Sequence, residues 1–249
     1  MNRMGVIGGT FDPIHFGHLF VAEEARTHFR LDRVLFVPNS VPPHKTGREI
    51  TEFRHRFAMT EMATATNPTF ECSTIERDRA GASYTVDTLQ ALRDERPETE
   101  LFYITGVDAI ADILTWKRHE EVILLAQFIA AARPGYDPAI LSARLPEAYL
   151  HQIHVLNSTA LDISSTDLRQ RVREGRSIRY LTPDDVVEYI TRNRLYRGNR
   201  EQETGQFHRN TCALAFECEA RHGRTPQAEE FIPLTLSNIS LRKGTDFYA

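Results

Sequence analysis

The chain has 249 residues, 41% of them apolar and 26% charged, with a formal charge of -4. That length and apolar content allow a large core in one domain, or one domain plus an appendage, and the acidic balance disfavours a protein that holds nucleic acid by global positive charge. No run of about eighteen apolar residues is present to span a bilayer, no charged and apolar leader precedes the first strand, and Cys72, Cys212 and Cys218 are too few for a disulfide framework, so a reducing cytoplasm without membrane attachment is the expected setting.

The first predicted element is a strand over residues 4–7, which feeds directly into Gly8-Gly9. A helix is expected over 18–29, starting near Gly17. This strand–turn–helix unit leaves unpaired N–H groups at its turn and at the helix start, where an anion is well received. The sequence places His15 and His18 there, three residues apart, a spacing that lets both face one way on a first helical turn. Two imidazoles beside a phosphate cradle suit chemistry in which charge is neutralised on a transferring group without a covalent step. The segment is not a Walker A loop, because no Gly-Lys-Ser/Thr follows the glycines. It also lacks the third glycine and the downstream acid of a dinucleotide fingerprint.

Further strands are expected over 33–37, 101–105, 128–132 and 153–156, and helices over 52–65, 85–93, 109–113, 119–125, 165–174 and 184–193. Strands alternating with helices predict an α/β fold with a doubly wound parallel sheet, whose ligands collect at the strand C-terminal edge. Each remaining candidate falls at such an edge. Asn39 to Lys45 is a proline-stiffened loop whose lysine either meets a phosphate or is simply solvated. Thr85 opens a helix, where it either caps or helps receive a carboxylate. Asp108 follows Gly106 after a strand, placed to bond ribose hydroxyls or hold a hydrated metal, and Arg133 ends another strand. Ser165 and Thr166 begin a helix with Arg169 one turn in, either as caps or as a second phosphate cradle. Pro183 suits a helix start, with Thr182 as its expected N-cap and Asp184 and Asp185 on the first turn.

The pattern changes after Tyr196, where 198–205 reads as a polar linker. Residues 198–249 are therefore expected to form a C-terminal extension, with a helix over 211–220 and an apolar stretch over 231–236. That segment is too short for its own core, and either docks on the main domain of residues 1–197 or stays partly disordered. His208, Cys212, Cys218 and His222 have helical spacing, but zinc sites usually show tighter cysteine pairs, and incidental side chains are the default.

The string from Gly8 to His18 resembles the signature of the nucleotidylyltransferases that share an HxGH element with class I aminoacyl-tRNA synthetases. Ile163-Ser164-Ser165-Thr166-Asp167-Leu168-Arg169 resembles the ISSTxxR triphosphate element of the same superfamily. Residues 1–197 resemble the nicotinate-nucleotide adenylyltransferases, on Pro38 to Lys45, Ser83 to Leu89, Gly106 to Ala109, Trp116, Arg133 to Gly135, and Val187 to Tyr196. The resemblance implies a Rossmann-like nucleotidylyltransferase fold with a C-terminal helical segment. It implies an enzyme joining nicotinate mononucleotide to ATP, giving nicotinate adenine dinucleotide and pyrophosphate, with Mg2+ carried on phosphate oxygens rather than by a dedicated protein ligand set.

The same resemblance assigns His15, His18 and Arg169 to catalysis. It assigns Gly8, Gly9, Thr10, Phe11, Gly106, Asp108, Arg133, Ser165 and Thr166, together with those three, to ATP. It assigns Asn39, Lys45, Tyr84, Thr85, Asp108 and Trp116 to the mononucleotide, with Trp116 stacking on the pyridine ring. A sister transferase acting on the amide nucleotide or on phosphopantetheine, and a catalytically silent nucleotide sensor, are the rival readings. A synthetase fragment is disfavoured by the lack of a KMSKS-like segment. Whether the chain forms a homo-oligomer is left open by the sequence.

Overall fold

The computed structural model describes residues 2–41, 50–77, 79, 81–132, 135–137, 139–157, 159 and 161–197. The 198–249 extension expected from the sequence, with its histidines and cysteines, lies outside the described residues.

In chain order the elements are β1 (Asn2–Gly9), α1 (Phe16–His28), β2 (Arg33–Pro38), α2 (Phe53–Thr64), β3 (Phe70–Cys72), α3 (Thr85–Glu95) and β4 (Thr99–Gly106). There follow α4 (Val107–Ala111), a 3-10 turn (Ile113–Thr115), α5 (His119–Leu125), β5 (Gln127–Ala132), α6 (Ala139–Arg144) and α7 (Glu147–Leu150). β6 (Ile153–Asn157), α8 (Ser165–Arg173) and α9 (Asp184–Arg192) complete the described fold.

The strands form one six-stranded sheet in the order β3-β2-β1-β4-β5-β6, and every neighbouring pair is parallel. The chain winds outward from β1 to β3, then returns to lay β4 against the other side of β1. The order therefore reverses between β1 and β4, and a crevice opens at the C-terminal ends of those two strands.

Side chains alternate across the sheet with period two. Leu101 and Tyr103 of β4 join the core cluster on one face, with Val6, Val37, Leu89 and Phe128. Phe102 and Ile104 join the opposite cluster, with Ile7, Phe36, Ala22 and Met59. Both faces are covered, which is why these strands read as unbroken apolar runs rather than polar–apolar alternation.

The strands and helices expected within the described residues all form, with ends shifted by a few residues, and the helix expected over 211–220 lies outside them. The helix expected over 109–113 begins earlier, because the chain turns immediately after Gly106, which is its N-cap, and it gives way to the 3-10 turn. β3 was not expected: it is a three-residue edge strand whose residues are only half-buried, so it carries no apolar run. α6 and α7 were also not expected, being short, with Leu141 their sole buried side chain among the described residues. Thr182 is not the N-cap of α9. Pro183 occupies that position without a side-chain cap, and the buried Thr182 hydroxyl donates to the Ile14 carbonyl at 2.8 Å.

Phe102 is 1% exposed, with its ring under the Arg3 guanidinium at 4.5 Å. Phe102→Ala is expected to lose about 3–5 kcal/mol of stability, as large-to-small changes in a filled core do. Urea unfolding should show a lower midpoint at an unchanged slope.

Candidate active site

The loop joining β1 to α1 sits at the crevice, and its shape follows from where its carbonyls go. Arg56 of α2 donates to the Thr10 carbonyl at 2.8 Å, and Arg169 of α8 donates to that of Asp12 at 2.6 Å. The Ser165 hydroxyl donates to the Pro13 carbonyl at 2.8 Å, and Thr182 serves Ile14. The Phe16 N–H in turn donates to the Leu181 carbonyl at 3.0 Å. The Asp12–Pro13 peptide is cis. Phe11 adopts a left-handed φ of 47°, unusual for an aromatic residue, and its buried ring packs edge-on against His18 at 5.1 Å.

The loop delivers His15 as N-cap of α1 and His18 on its first turn. Their rings stack at 3.7 Å between centroids, so the facing pair expected from the sequence forms. The His15 backbone N–H donates to His18 Nδ1 at 3.3 Å. That bond makes Nδ1 an acceptor, so neutral His18 carries its proton on Nε2. His15 is 5% exposed, its Nδ1 is buried with no hydrogen-bond partner among the described residues, and burial lowers its pKa to about 4. One imidazole is thus held neutral while its neighbour faces a cavity of about 300 Å³, which Gly8, Gly17, Thr105 and Gly106 also line. Ile104, Ala131, Ala132, Val21 and Leu161 give that cavity an apolar wall, a composition usual for small-ligand sites.

Gly17, absent from the sequence-derived site, lets the His15 ring pack closely over the helix start. A Cβ there would lie 3.0 Å from His15 Nδ1. Its signal in the sequence is its position between the two histidines. Gly8 answers a different need, since a Cβ there would lie 2.7 Å from the Tyr103 hydroxyl.

Tyr103 is also absent from the sequence-derived set, because a tyrosine inside an apolar run reads as core. Its buried hydroxyl lies 3.5 Å from Thr85 Oγ1 and has its pKa raised by burial, which keeps the proton on. Its ring meets Trp116 edge-to-face at 6.0 Å. A small polar cavity of about 20 Å³ lies beside it, lined among others by Gly8, Asn39, Ser83 and Thr85. Tyr84 is the N-cap of α3, with the Lys117 ammonium 4.0 Å above its ring, and Thr85 is the first residue of that helix. Gly8, Asn39, Thr85 and Trp116 therefore gather around Tyr103, on the opposite face of the sheet from Ile104 and the large cavity.

At α8, Ser164 is the cap, accepting from the Asp167 N–H at 3.1 Å. The Ser165 proton is committed to the loop, leaving its first-turn amide as the donor available to a ligand. Arg169 spends part of its five-donor fork on Asp12 and on Thr166 Oγ1, at 3.3 Å. Asp12 is buried, and its carboxylate accepts from the Tyr196 hydroxyl at 2.7 Å and the Thr51 N–H at 3.3 Å. Burial first, and Asp12 second, raise the Tyr196 pKa, so that phenol stays a donor. Asp108 is exposed at the start of α4. Lys45 and Arg133 lie outside the described residues.

No group of three or more metal-ligating side chains occurs among the described residues, and no helix there is long and apolar enough to cross a membrane.

Residues 6–171 match the family model described as cytidylyltransferase-like. A protein of Moorella thermoacetica named "Probable nicotinate-nucleotide adenylyltransferase" is 50% identical over 199 residues, 78% of this chain and 92% of that protein. One of the same name from Thermoanaerobacter sp. (strain X514) is 47% identical over 203 residues, 80% of this chain and 96% of that protein. Among solved structures, Plasmodium falciparum nicotinic acid mononucleotide adenylyltransferase complexed with NaAD superposes with a TM-score of 0.64 at 21% identity, covering 79% of this chain and 98% of that one. It shares the fold.

The lowered pKa of His15 has a stability consequence. Between about pH 6.5 and 4 the unfolded chain takes up a proton at this site that the folded chain refuses. Its contribution to stability is therefore full at neutral pH and declines as pH falls through that window, by at most about 3 kcal/mol. Denaturant unfolding of wild type and His15→Asn from pH 7 to 4 should show a shallower acid decline in the variant.

Proposed function

Because the chain belongs to the nicotinate-nucleotide adenylyltransferase family, we propose that it transfers the adenylyl group of ATP to nicotinate mononucleotide. An oxygen of the mononucleotide phosphate attacks the α-phosphorus in line. The new P–O bond forms as the bond from the α-phosphorus to the bridging oxygen breaks. Pyrophosphate leaves with the electron pair, and nicotinate adenine dinucleotide is the other product. The nucleophile is already an anion, so no general base and no covalent enzyme intermediate are required, and the protein's work is positioning and charge neutralisation.

The observation that carries this reading is the stacked His15–His18 pair at the N-terminus of α1, opening into the cavity at the β1–β4 reversal. Neutral His18 offers its Nε2–H to an α-phosphate oxygen. Gly8 to Phe11 and the α1 terminus receive the remaining phosphate charge, with His15 beside them. Arg169 and the first-turn amides of Ser165 and Thr166 take the leaving pyrophosphate. Gly106 lines the adenosine side of the cavity, and Arg133 is assigned there from the sequence.

The mononucleotide occupies the Tyr103 side. Trp116 stacks on its ring, Asn39 and Lys45 serve its polar groups, and the N-terminus at Tyr84-Thr85 receives its carboxylate. The Asp87 charge on that first turn is balanced by Lys117 at 3.5 Å and Arg118 at 3.7 Å. Magnesium, when bound, neutralises phosphate charge. The residues present fit an ion that keeps most of its waters, with the exposed Asp108 carboxylate as its outer support. The low cysteine count fits action in a reducing cytoplasm.

His18→Ala is expected to lower kcat at least ~10²-fold, the scale of losing one preorganised transition-state donor. Affinity for the mononucleotide should barely change. Steady-state release of pyrophosphate checks both, and near-normal turnover would remove His18 from the reacting centre. The α3 terminus should also favour the acid over the amide nucleotide by at least ~10-fold in kcat/KM, measured side by side. Equal values would show that this helix end does not read the ring substituent.

A further inference from the structure

Arg56 is 1% exposed, and no carboxylate bonds its guanidinium among the described residues. Its donors go to main-chain carbonyls instead. Nε donates to Thr51 at 2.7 Å, Nη1 to Thr10 and to Asn39, each at 2.8 Å, and Nη2 to Ser40 at 3.1 Å. Thr10 belongs to the loop that carries the histidines. Asn39 and Ser40 belong to the loop after β2, on the Tyr103 side. The loop after β2 also meets the end of β1 directly, through the Asn39 N–H to the Gly9 carbonyl at 2.9 Å.

Ser40 is gripped from its other side as well. Its N–H donates to Glu76 Oε2 at 3.3 Å, while Glu76 Oε1 accepts from Thr88 Oγ1 at 2.6 Å. Glu76 is also buried, at 4% exposure. A cation thus holds the carbonyl of Ser40 and an anion its N–H. Burying charge is costly, and ordered water at a sheet edge satisfies carbonyls at less cost. What a guanidinium adds is a rigid planar fork that fixes several acceptors at set separations, which an ammonium cannot do.

We propose that Arg56, supported by Glu76, is a positioning residue that sets the distance between the ATP loop and the mononucleotide loop. Arg56 lines neither cavity, and Glu76 borders only the small polar one beside Tyr103. Together they hold two half-sites in register, so that the attacking oxygen and the α-phosphorus meet at reacting distance. The inference rests on the adenylyl-transfer reading above, and concerns geometry between the substrates rather than affinity for either.

Arg56→Lys retains the charge and loses the fork. The expected result is a fall in kcat of ~10²-fold, the cost of a misplacement on the order of 1 Å, with the dissociation constant of each substrate alone within about threefold of wild type by calorimetry. Glu76→Gln keeps shape and acceptor but loses charge, and should lower kcat at least ~5-fold with the same unchanged affinities. It also carries the test if Arg56→Lys fails to fold by circular dichroism.

A kcat near wild type in a folded variant overturns the inference. So does a loss carried wholly by one substrate's affinity, or one explained by a smaller folded fraction. If neither variant folds, the pair is structural and the inference falls. Wild type that forms no dinucleotide from the two substrates overturns the functional reading, and this inference with it. Active wild type beside insensitive variants overturns this inference alone.

Discussion

The loop between β1 and α1 must cross a buried sheet edge without regular secondary structure, and its carbonyls must be satisfied there. Backbone polar groups left unpaired in such a place cost on the order of 1–3 kcal/mol each. The fold answers with side chains from three distant elements: Arg56 on α2, Ser165 and Arg169 on α8, and Thr182 ahead of α9. Because C=O and N–H of a trans peptide point in opposite directions, drawing the Ile14 carbonyl outward to Thr182 turns the His15 N–H the other way, onto His18. The tautomer of His18, the stack of the two rings and the direction of its remaining donor follow from that bracing. Residues far from the chemistry are therefore bound to its geometry.

The arrangement also reconciles an acidic protein with an anionic set of substrates. Each helix that follows a parallel strand begins at the strand C-terminal edge. The N-termini of α1, α3, α4 and α8 therefore lie on the same edge of the sheet, each with the positive end of its dipole. The net charge of -4 is a property of the whole surface; the helix dipoles at this edge act on a ligand whatever that net charge is. Neutral His15 fits this setting. Burial holds the His15 ring neutral, so no full cation lies stacked 3.7 Å from His18.

The sheet divides the site. On the face of Ile7 and Ile104 lies the large cavity with its apolar wall; on the opposite face, Tyr103 gathers Thr85, Trp116 and the backbone of Gly8. Gly8 lines cavities on both faces, and the absence of a side chain there lets the Tyr103 hydroxyl approach the backbone. The strand-order reversal provides the crevice, and the glycine keeps its floor thin.

From the sequence alone, the parallel α/β fold was legible, because a sheet covered on both faces forces its strands into apolar runs such as 33–37 and 101–105. The histidine pair and Asn39 were legible too, because each sits just past a strand end, and so was the hydroxyl-led helix at 165, which follows the last strand; Thr85 and Trp116, which gather at Tyr103, were singled out through the family resemblance. Edge strand β3 was not, since half-buried residues carry no such run. Only the tertiary structure showed that Thr182 serves Ile14 rather than its own helix, that the Ser165 proton is spent on Pro13, and that Gly17 makes room for a ring. Arg56, Glu76 and Tyr103 were likewise invisible in the sequence. Their partners are mostly backbone groups and neighbouring rings from remote segments, and a backbone carbonyl looks the same in every sequence until folding decides which side chain faces it.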